Sequence, residues 1–165
     1  MNPAGFVYVY TGDGQGKTTA ALGLALRAAG HGKPVAVIQF LKKGDYGEAK
    51  HPLLHVEQYG RGDFVVEPMG LDRALAEQAL QAAEQALKQR PFLLVLDEVN
   101  VAVSLGLITI DEVIRFLEKR GPTHVVLTGR HAPQAFIELA DIATRMEKIK
   151  HRYDEGGEAR KGLEY

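Results

Sequence analysis

The stretch Thr11-Gly12-Asp13-Gly14-Gln15-Gly16-Lys17-Thr18-Thr19 combines three glycines, one lysine and paired threonine hydroxyls within a single turn's length of chain. Such residues hold phosphate. The pattern Gly-x-x-x-x-Gly-Lys-Ser/Thr is a P-loop, and here Thr11 stands where the first glycine belongs. Glycines at 12, 14 and 16 let the backbone turn its N–H groups inward and approach phosphate oxygens closely. A helix beginning near Lys17 would add the positive end of its dipole. Lys17 supplies a point charge, and the Thr18 hydroxyl can ligate Mg²⁺. The candidate nucleotide-binding residues are therefore Gly12, Asp13, Gly14, Gln15, Gly16, Lys17, Thr18 and Thr19.

Two further groups could complete a phosphate site. Asp97 and Glu98 end the apolar run Phe92–Leu96, where a carboxylate is the usual Mg²⁺ partner of a P-loop. Adjacent strand residues point to opposite faces, so one of the two is expected to reach the metal directly; the residues themselves leave open which. A helix cap is the alternative use of such a carboxylate. Arg130, in Thr128-Gly129-Arg130, follows another apolar run and could clamp triphosphate oxygens with its planar fork or form a surface ion pair. On spacing alone, Arg27 falls on a solvated helix face. His51 and His55 have the i, i+4 spacing of a helical metal pair, but Pro52 between them excludes a helix interior.

These groups need elements to position them. Runs at 6–10, 35–40, 53–58, 92–96, 124–128 and 144–149 read as apolar strands, and 18–29, 71–89, 111–119 and 133–140 as helices. Continuous apolar strands alternating with helices imply a three-layer α/β fold: a mostly parallel sheet with helices on both faces, P-loop NTPase-like. Ligands of such sheets sit beyond the carboxyl ends of the strands, and residues 11–19, 97–98 and 129–130 all fall there. The length of 165 residues suits one domain spanning 1–165.

Composition narrows the partners. A formal net charge of −1 argues against a nucleic-acid footprint. The absence of cysteine excludes thiolate metal sites and disulfides. No window approaches the ~20 apolar residues of a spanning helix, and no basic segment precedes a long apolar one near Met1. A cytoplasmic protein without membrane or nucleic-acid partners is the expectation.

The motifs in order are more specific than the loop alone. Tyr10 to Ala21, Val37-Ile38-Gln39-Phe40-Leu41-Lys42 with Gly47-Glu48, Val95-Leu96-Asp97-Glu98, Leu127-Thr128-Gly129-Arg130, Leu139-Ala140-Asp141, Lys150-His151 and the tail Ala159 to Tyr165 together resemble the P-loop type of ATP:cob(I)alamin (corrinoid) adenosyltransferase along nearly the whole chain. Thr11 at the first glycine position is itself a feature of that family. The resemblance implies transfer of the 5′-deoxyadenosyl group of ATP to Co(I) of a reduced corrinoid, cob(I)alamin or a cobinamide-like precursor, with release of triphosphate. It implies Mg²⁺ at Thr18 and Glu98, catalytic roles for Lys17 and Arg130, and a place near the nucleotide for Arg27. The nucleotide would run in the reverse direction to that in ordinary P-loop enzymes. Phe64 matches an aromatic packed under the corrin ring, where it would displace the lower axial ligand and ease reduction of cobalt. Val66 stands where family members carry tryptophan, and the chain has none. A homodimer and a flavoprotein reductase as electron source are further implications. Two other classes share the loop: a P-loop kinase or ATPase, whose product is ADP, and a non-catalytic ATP- or corrinoid-binding protein, which would not turn over.

Overall fold

Side chains along an extended strand alternate between faces, and strands that are apolar at every position demand cover on both. The computed structural model, which describes residues 4–62, 65 and 67–165, meets that demand with one six-stranded sheet. Its strands are β1 (Val7–Thr11), β2 (Val35–Phe40), β3 (His55–Tyr59), β4 (Leu93–Asp97), β5 (His124–Thr128) and β6 (Ile142–Arg145). They lie in the order β3-β2-β4-β5-β1-β6, and every neighbouring pair is parallel. The helices are α1 (Lys17–Gly30), α2 (Gly70–Lys88), α3 (Val99–Ser104), α4 (Ile110–Glu118) and α5 (Gln134–Leu139). None is long and apolar enough to cross a membrane among the described residues.

The two faces have separate cores. Val37, Val95 and Val126 point to α1 and meet Ala21, Ala25 and Ala28. Ile38, Leu94, Leu96, Val125 and Leu127 point the other way, to Ala79 of α2, Phe116 of α4 and Phe136 of α5. The alanine stripe of α1 brings that helix close to the sheet, which fixes where its amino-terminal turn emerges above β1.

Three elements differ from the sequence reading. The last strand is Ile142–Arg145 rather than 144–149, because Tyr8 to Thr11 of β1 pair with Ile142 to Arg145 and the chain then turns under the glycine loop. β3 starts at His55, opposite Ala36, rather than at Leu53. Helix α3 was not anticipated; six residues are too few for a 3.6-residue period to register.

Phe116 is 1% exposed in the larger core, whereas Ile149 is 94% exposed. Phe116→Ala is expected to cost about 3–5 kcal/mol of unfolding free energy, and Ile149→Ala to stay within about 0.5 kcal/mol. Urea denaturation of the two variants checks this.

Candidate functional site

Between β1 and α1 the chain makes an arch that only glycine permits at two points. Gly12 and Gly16 have φ of +101° and +116°, a region costly for residues with a Cβ. At Gly12 a Cβ would also collide with the Met146 carbonyl oxygen. The segment after β6 braces the arch: Met146 N–H donates to Thr11 O at 2.8 Å, and Gly14 N–H donates to Met146 O at 2.8 Å. The Gly14 N–H is thus already engaged. The first-turn N–H groups of α1 at Lys17, Thr18 and Thr19 have no intrahelical acceptors and remain for an anion.

The substitution of threonine for the first P-loop glycine has a local explanation. Thr11 Oγ1 accepts a hydrogen bond from Ala132 N–H at 3.2 Å, and Gly129 N–H donates to Tyr10 O at 3.1 Å. The loop carrying Arg130 is therefore tied to the end of β1 at both of its ends. Asn100 Nδ2 adds a bond to Gly129 O at 3.0 Å.

Residues 13–19, Glu98 and Arg130 line one cavity of about 750 Å³. Gly12 lies behind it in the arch. The Lys17 ammonium is parked on Gly14 O at 2.7 Å. Burial pulls its pKa below the ordinary lysine value, and Arg130 adds to that, while Glu98, Asp13 and Asp97 oppose it. Neither Lys17 nor Arg130 forms an ion pair among the described residues. Two cations without counter-ions at the mouth of a cavity form a site for a polyanion.

The adjacent carboxylates have opposite surroundings. Asp97 is fully buried, and four donors fill its oxygens. Oδ1 accepts from Thr18 Oγ1 at 2.7 Å and Thr128 Oγ1 at 2.6 Å, and Oδ2 from Lys42 Nζ at 2.6 Å and Gln39 Nε2 at 3.1 Å. Burial alone would raise its pKa, but Lys42 and the hydroxyl donors outweigh burial and hold it below the usual carboxylate value. Glu98 caps α3 with φ of +63°. That left-handed backbone, strained for a side chain of this size, turns Glu98 into the cavity while its N–H donates to Thr128 Oγ1 at 3.0 Å. Burial pushes the Glu98 pKa above the carboxylate range and Asp97 beside it adds to the rise, against the opposing pull of Lys42, Lys17 and Arg130.

Two predicted residues are not brought into this group. Arg27 occupies the last turn of α1, about 15 Å of helix rise beyond Lys17. It lines a separate cavity of about 390 Å³ with Phe6, Phe92 and His124 at the other edge of the sheet. Phe64, like Val66, lies outside the described residues. The structure also adds residues that motif reading missed. Lys42 and Gln39 reach Asp97 from β2 and the residues just after it; both stand in the Val37 to Lys42 stretch of the resemblance, which carried no role for them, and Gln39 is a glutamine inside an otherwise apolar strand. Gln39 is completely buried and fully bonded, also donating to Glu48 at 2.8 Å and accepting from Gln58 at 2.9 Å. The carboxyl-terminal residues Gly162 to Tyr165 line the same cavity, and Lys161 pairs with Asp45 at 3.0 Å.

The sheet order, the glycine arch and the carboxylates at the end of β4 define an α/β protein of the P-loop NTPase-like class. Within that class, residues 3–165 match the family model described as ATP:corrinoid adenosyltransferase BtuR/CobO/CobP. Relatives include a corrinoid adenosyltransferase of a Sinorhizobium species, 38% identical over 98% of this chain and 80% of the relative. One from Escherichia coli K12 is 35% identical over 98% and 86%. Corrinoid adenosyltransferase CobA of Salmonella typhimurium is 36% identical over 98% and 86%. The chain belongs to the ATP:corrinoid adenosyltransferase family.

A carboxyl whose pKa is raised on folding costs stability when ionised. For Glu98 the cost is absent below its ordinary value of 4.5, grows as pH rises and is complete above the raised pKa. Glu98→Gln is therefore expected to raise the melting temperature of the ligand-free chain near neutral pH and leave it unchanged at about pH 4. Scanning calorimetry at the two pH values checks this, and equal melting temperatures near neutrality would contradict it.

Proposed function

We propose that the chain binds MgATP in the loop cavity and transfers its 5′-deoxyadenosyl group to Co(I) of a reduced corrinoid, cob(I)alamin or a cobinamide-like precursor. The carrying observation is the convergence of Lys17, Arg130 and the α1 amino terminus on one cavity beside a free Glu98. In the reaction a Co–C bond forms at C5′ as the C5′–O bond breaks, and the electron pair leaves on the triphosphate. Co(I) carries no proton, so the site must stabilise a polyanionic leaving group rather than remove a proton. The surroundings of Asp97 suit that requirement, since four donors leave it no free lone pair for work as a base.

The donor set fits Mg²⁺. Thr18 Oγ1 and Glu98 are hard oxygen ligands, and no group of three metal-ligating side chains exists among the described residues. Mg²⁺ is commonly held by one or two carboxylates, with substrate phosphates and water completing its shell. When bound, the metal would neutralise charge on the leaving oxygens. Lys17 would release Gly14 O and turn to the triphosphate, and Arg130 would clamp its outer oxygens with two parallel N–H bonds. A nucleotide held in the reverse direction, as the resemblance implies, would present C5′ to the corrinoid. Phe64, matched by resemblance to the family's aromatic, would pack under the corrin ring, and an external flavoprotein reductase would supply the electron for Co(I).

Anaerobic mixing with MgATP and chemically reduced cob(I)alamin is expected to yield adenosylcobalamin and triphosphate in equal amounts. Lys17→Ala should lower the rate by about a hundredfold or more, as removal of a preorganised charge does. ADP and orthophosphate as products would instead make the protein a kinase or ATPase.

We also infer a cytoplasmic homodimer. Every residue of β6 is exposed and Ile142 is 43% exposed, so this edge strand offers unpaired backbone and apolar surface to a second copy. Light scattering on the purified protein should give the mass of two chains; a monomer at micromolar concentration would refute it.

A further inference from the structure

The Lys42–Asp97 pair lies inside the proposed metal site, and its geometry goes beyond charge neutralisation. Thr18 donates its hydroxyl proton to Asp97 Oδ1 at 2.7 Å, which leaves the lone pairs of Oγ1 for an electrophile. In the ligand-free chain Lys42 Nζ takes that place: it donates to Thr18 Oγ1 at 3.4 Å and to Asp97 Oδ2 at 2.6 Å. The ammonium thus bridges the hydroxyl proposed as a metal ligand and the buried carboxylate behind it. Its stem is largely covered, with 16% of the side chain exposed, while Asp97 has none, and Lys42 lines the cavity alongside Lys17, Glu98 and Arg130.

A Mg²⁺ ion ligated by Thr18 at about 2.1 Å would lie no more than about 5.5 Å from that ammonium. Two cations at this separation in a half-buried site repel strongly unless an anion stands between them. Glu98 and Asp13 line the cavity without a hydrogen-bond or ion-pair partner among the described residues, whereas Asp97, the carboxylate bonded to Thr18, is filled. A bare divalent ion at Thr18 therefore meets a resident cation against the same hydroxyl. A polyphosphate oxygen changes the balance, because it can ligate the metal and accept from Lys42 simultaneously.

We propose that Lys42 is a placeholder cation that occupies the metal's place against Thr18 and Asp97 in the empty site and makes divalent-cation binding conditional on the triphosphate. With polyphosphate bound, the same ammonium turns to its oxygens and becomes a contact of the leaving group. The site then loads metal and nucleotide together and stores no free metal. This inference rests on the assignment of the metal to Thr18 and Glu98 above.

Mn²⁺ binding followed by electron paramagnetic resonance tests it without any turnover, using the full-length protein with Mn²⁺ alone and with Mn²⁺ plus tripolyphosphate. The wild type should bind Mn²⁺ at least about tenfold more tightly when tripolyphosphate is present. Lys42→Met should gain affinity for Mn²⁺ alone by about tenfold and lose most of the tripolyphosphate dependence, whereas Lys42→Arg should behave as the wild type. Circular dichroism checks that the variants are folded, so that a gain of binding is read from the intact site. A folded Lys42→Met with wild-type Mn²⁺ affinity overturns the proposal. So does a wild type that binds Mn²⁺ equally well with and without tripolyphosphate, a result that needs no variant. If the wild type binds no Mn²⁺ even with ATP, the metal assignment fails as well, and that outcome is distinct from the other two.

Discussion

A single buried carboxylate organises this site. Asp97 ends the central strand β4 with no exposure to water, and an isolated charge there would be untenable. It is held by Thr18 from α1, Thr128 from β5, Gln39 from β2 and Lys42 just beyond β2. The four donors come from three segments, so the carboxylate fixes their relative positions at the carboxyl edge of the sheet. Its ionised state is what makes four donors compatible, since a protonated acid would need an acceptor of its own. The ion pair with Lys42 is therefore better understood as registration than as stabilisation: a buried pair seldom improves on a hydrophobic one, but loss of one partner is costly.

The sheet supplies what Asp97 cannot, a rigid frame with all strand ends at one edge. Parallel pairing puts the loops after β1, β4 and β5 side by side without further instruction. Thr11 and the segment after β6 then tie the glycine arch to the Arg130 loop and to Met146. The loop departs from the glycine pattern at the residue whose side chain makes a cross-link, and keeps glycine at Gly12, where a Cβ would meet Met146. Sequence deviation and sequence adherence have the same cause, the close approach of three loops.

Much of this was legible in the chain. The period of the apolar runs specified a doubly covered parallel sheet, and the glycine–lysine–threonine spacing located the cavity within one turn. The resemblance to a known family picked out Glu98 over Asp97, and the left-handed backbone at Glu98 supplies a physical reason for the two neighbours to diverge. What stayed hidden depends on tertiary approach. Nothing local marks Lys42 as a partner of a carboxylate 55 residues away, and α3 is too short to carry a period. β6 is exposed at all four positions, so no buried face marked its bounds and backbone pairing with β1 alone decides them. Arg27 lies ten helical residues, about 15 Å, along α1 from Lys17, a separation that neither its helix spacing nor the resemblance expresses.

The charges at the cavity are held apart by separate partners. Lys17, Lys42 and Arg130 share the cavity with Asp13, Glu48 and Glu98, and Lys42 reaches the buried Asp97. Lys17 rests on a backbone carbonyl and Lys42 on Asp97, interactions that satisfy their protons without consuming Glu98. Glu98 is left strained in its backbone and disfavoured in its charge. A metal held by Glu98, as proposed above, would offset both costs. Strain at Glu98 and the cation at Lys42 would then be two sides of one constraint: a site poor for metal alone, in which the binding energy of the metal–triphosphate pair would be spent at the atom where the adenosyl group leaves.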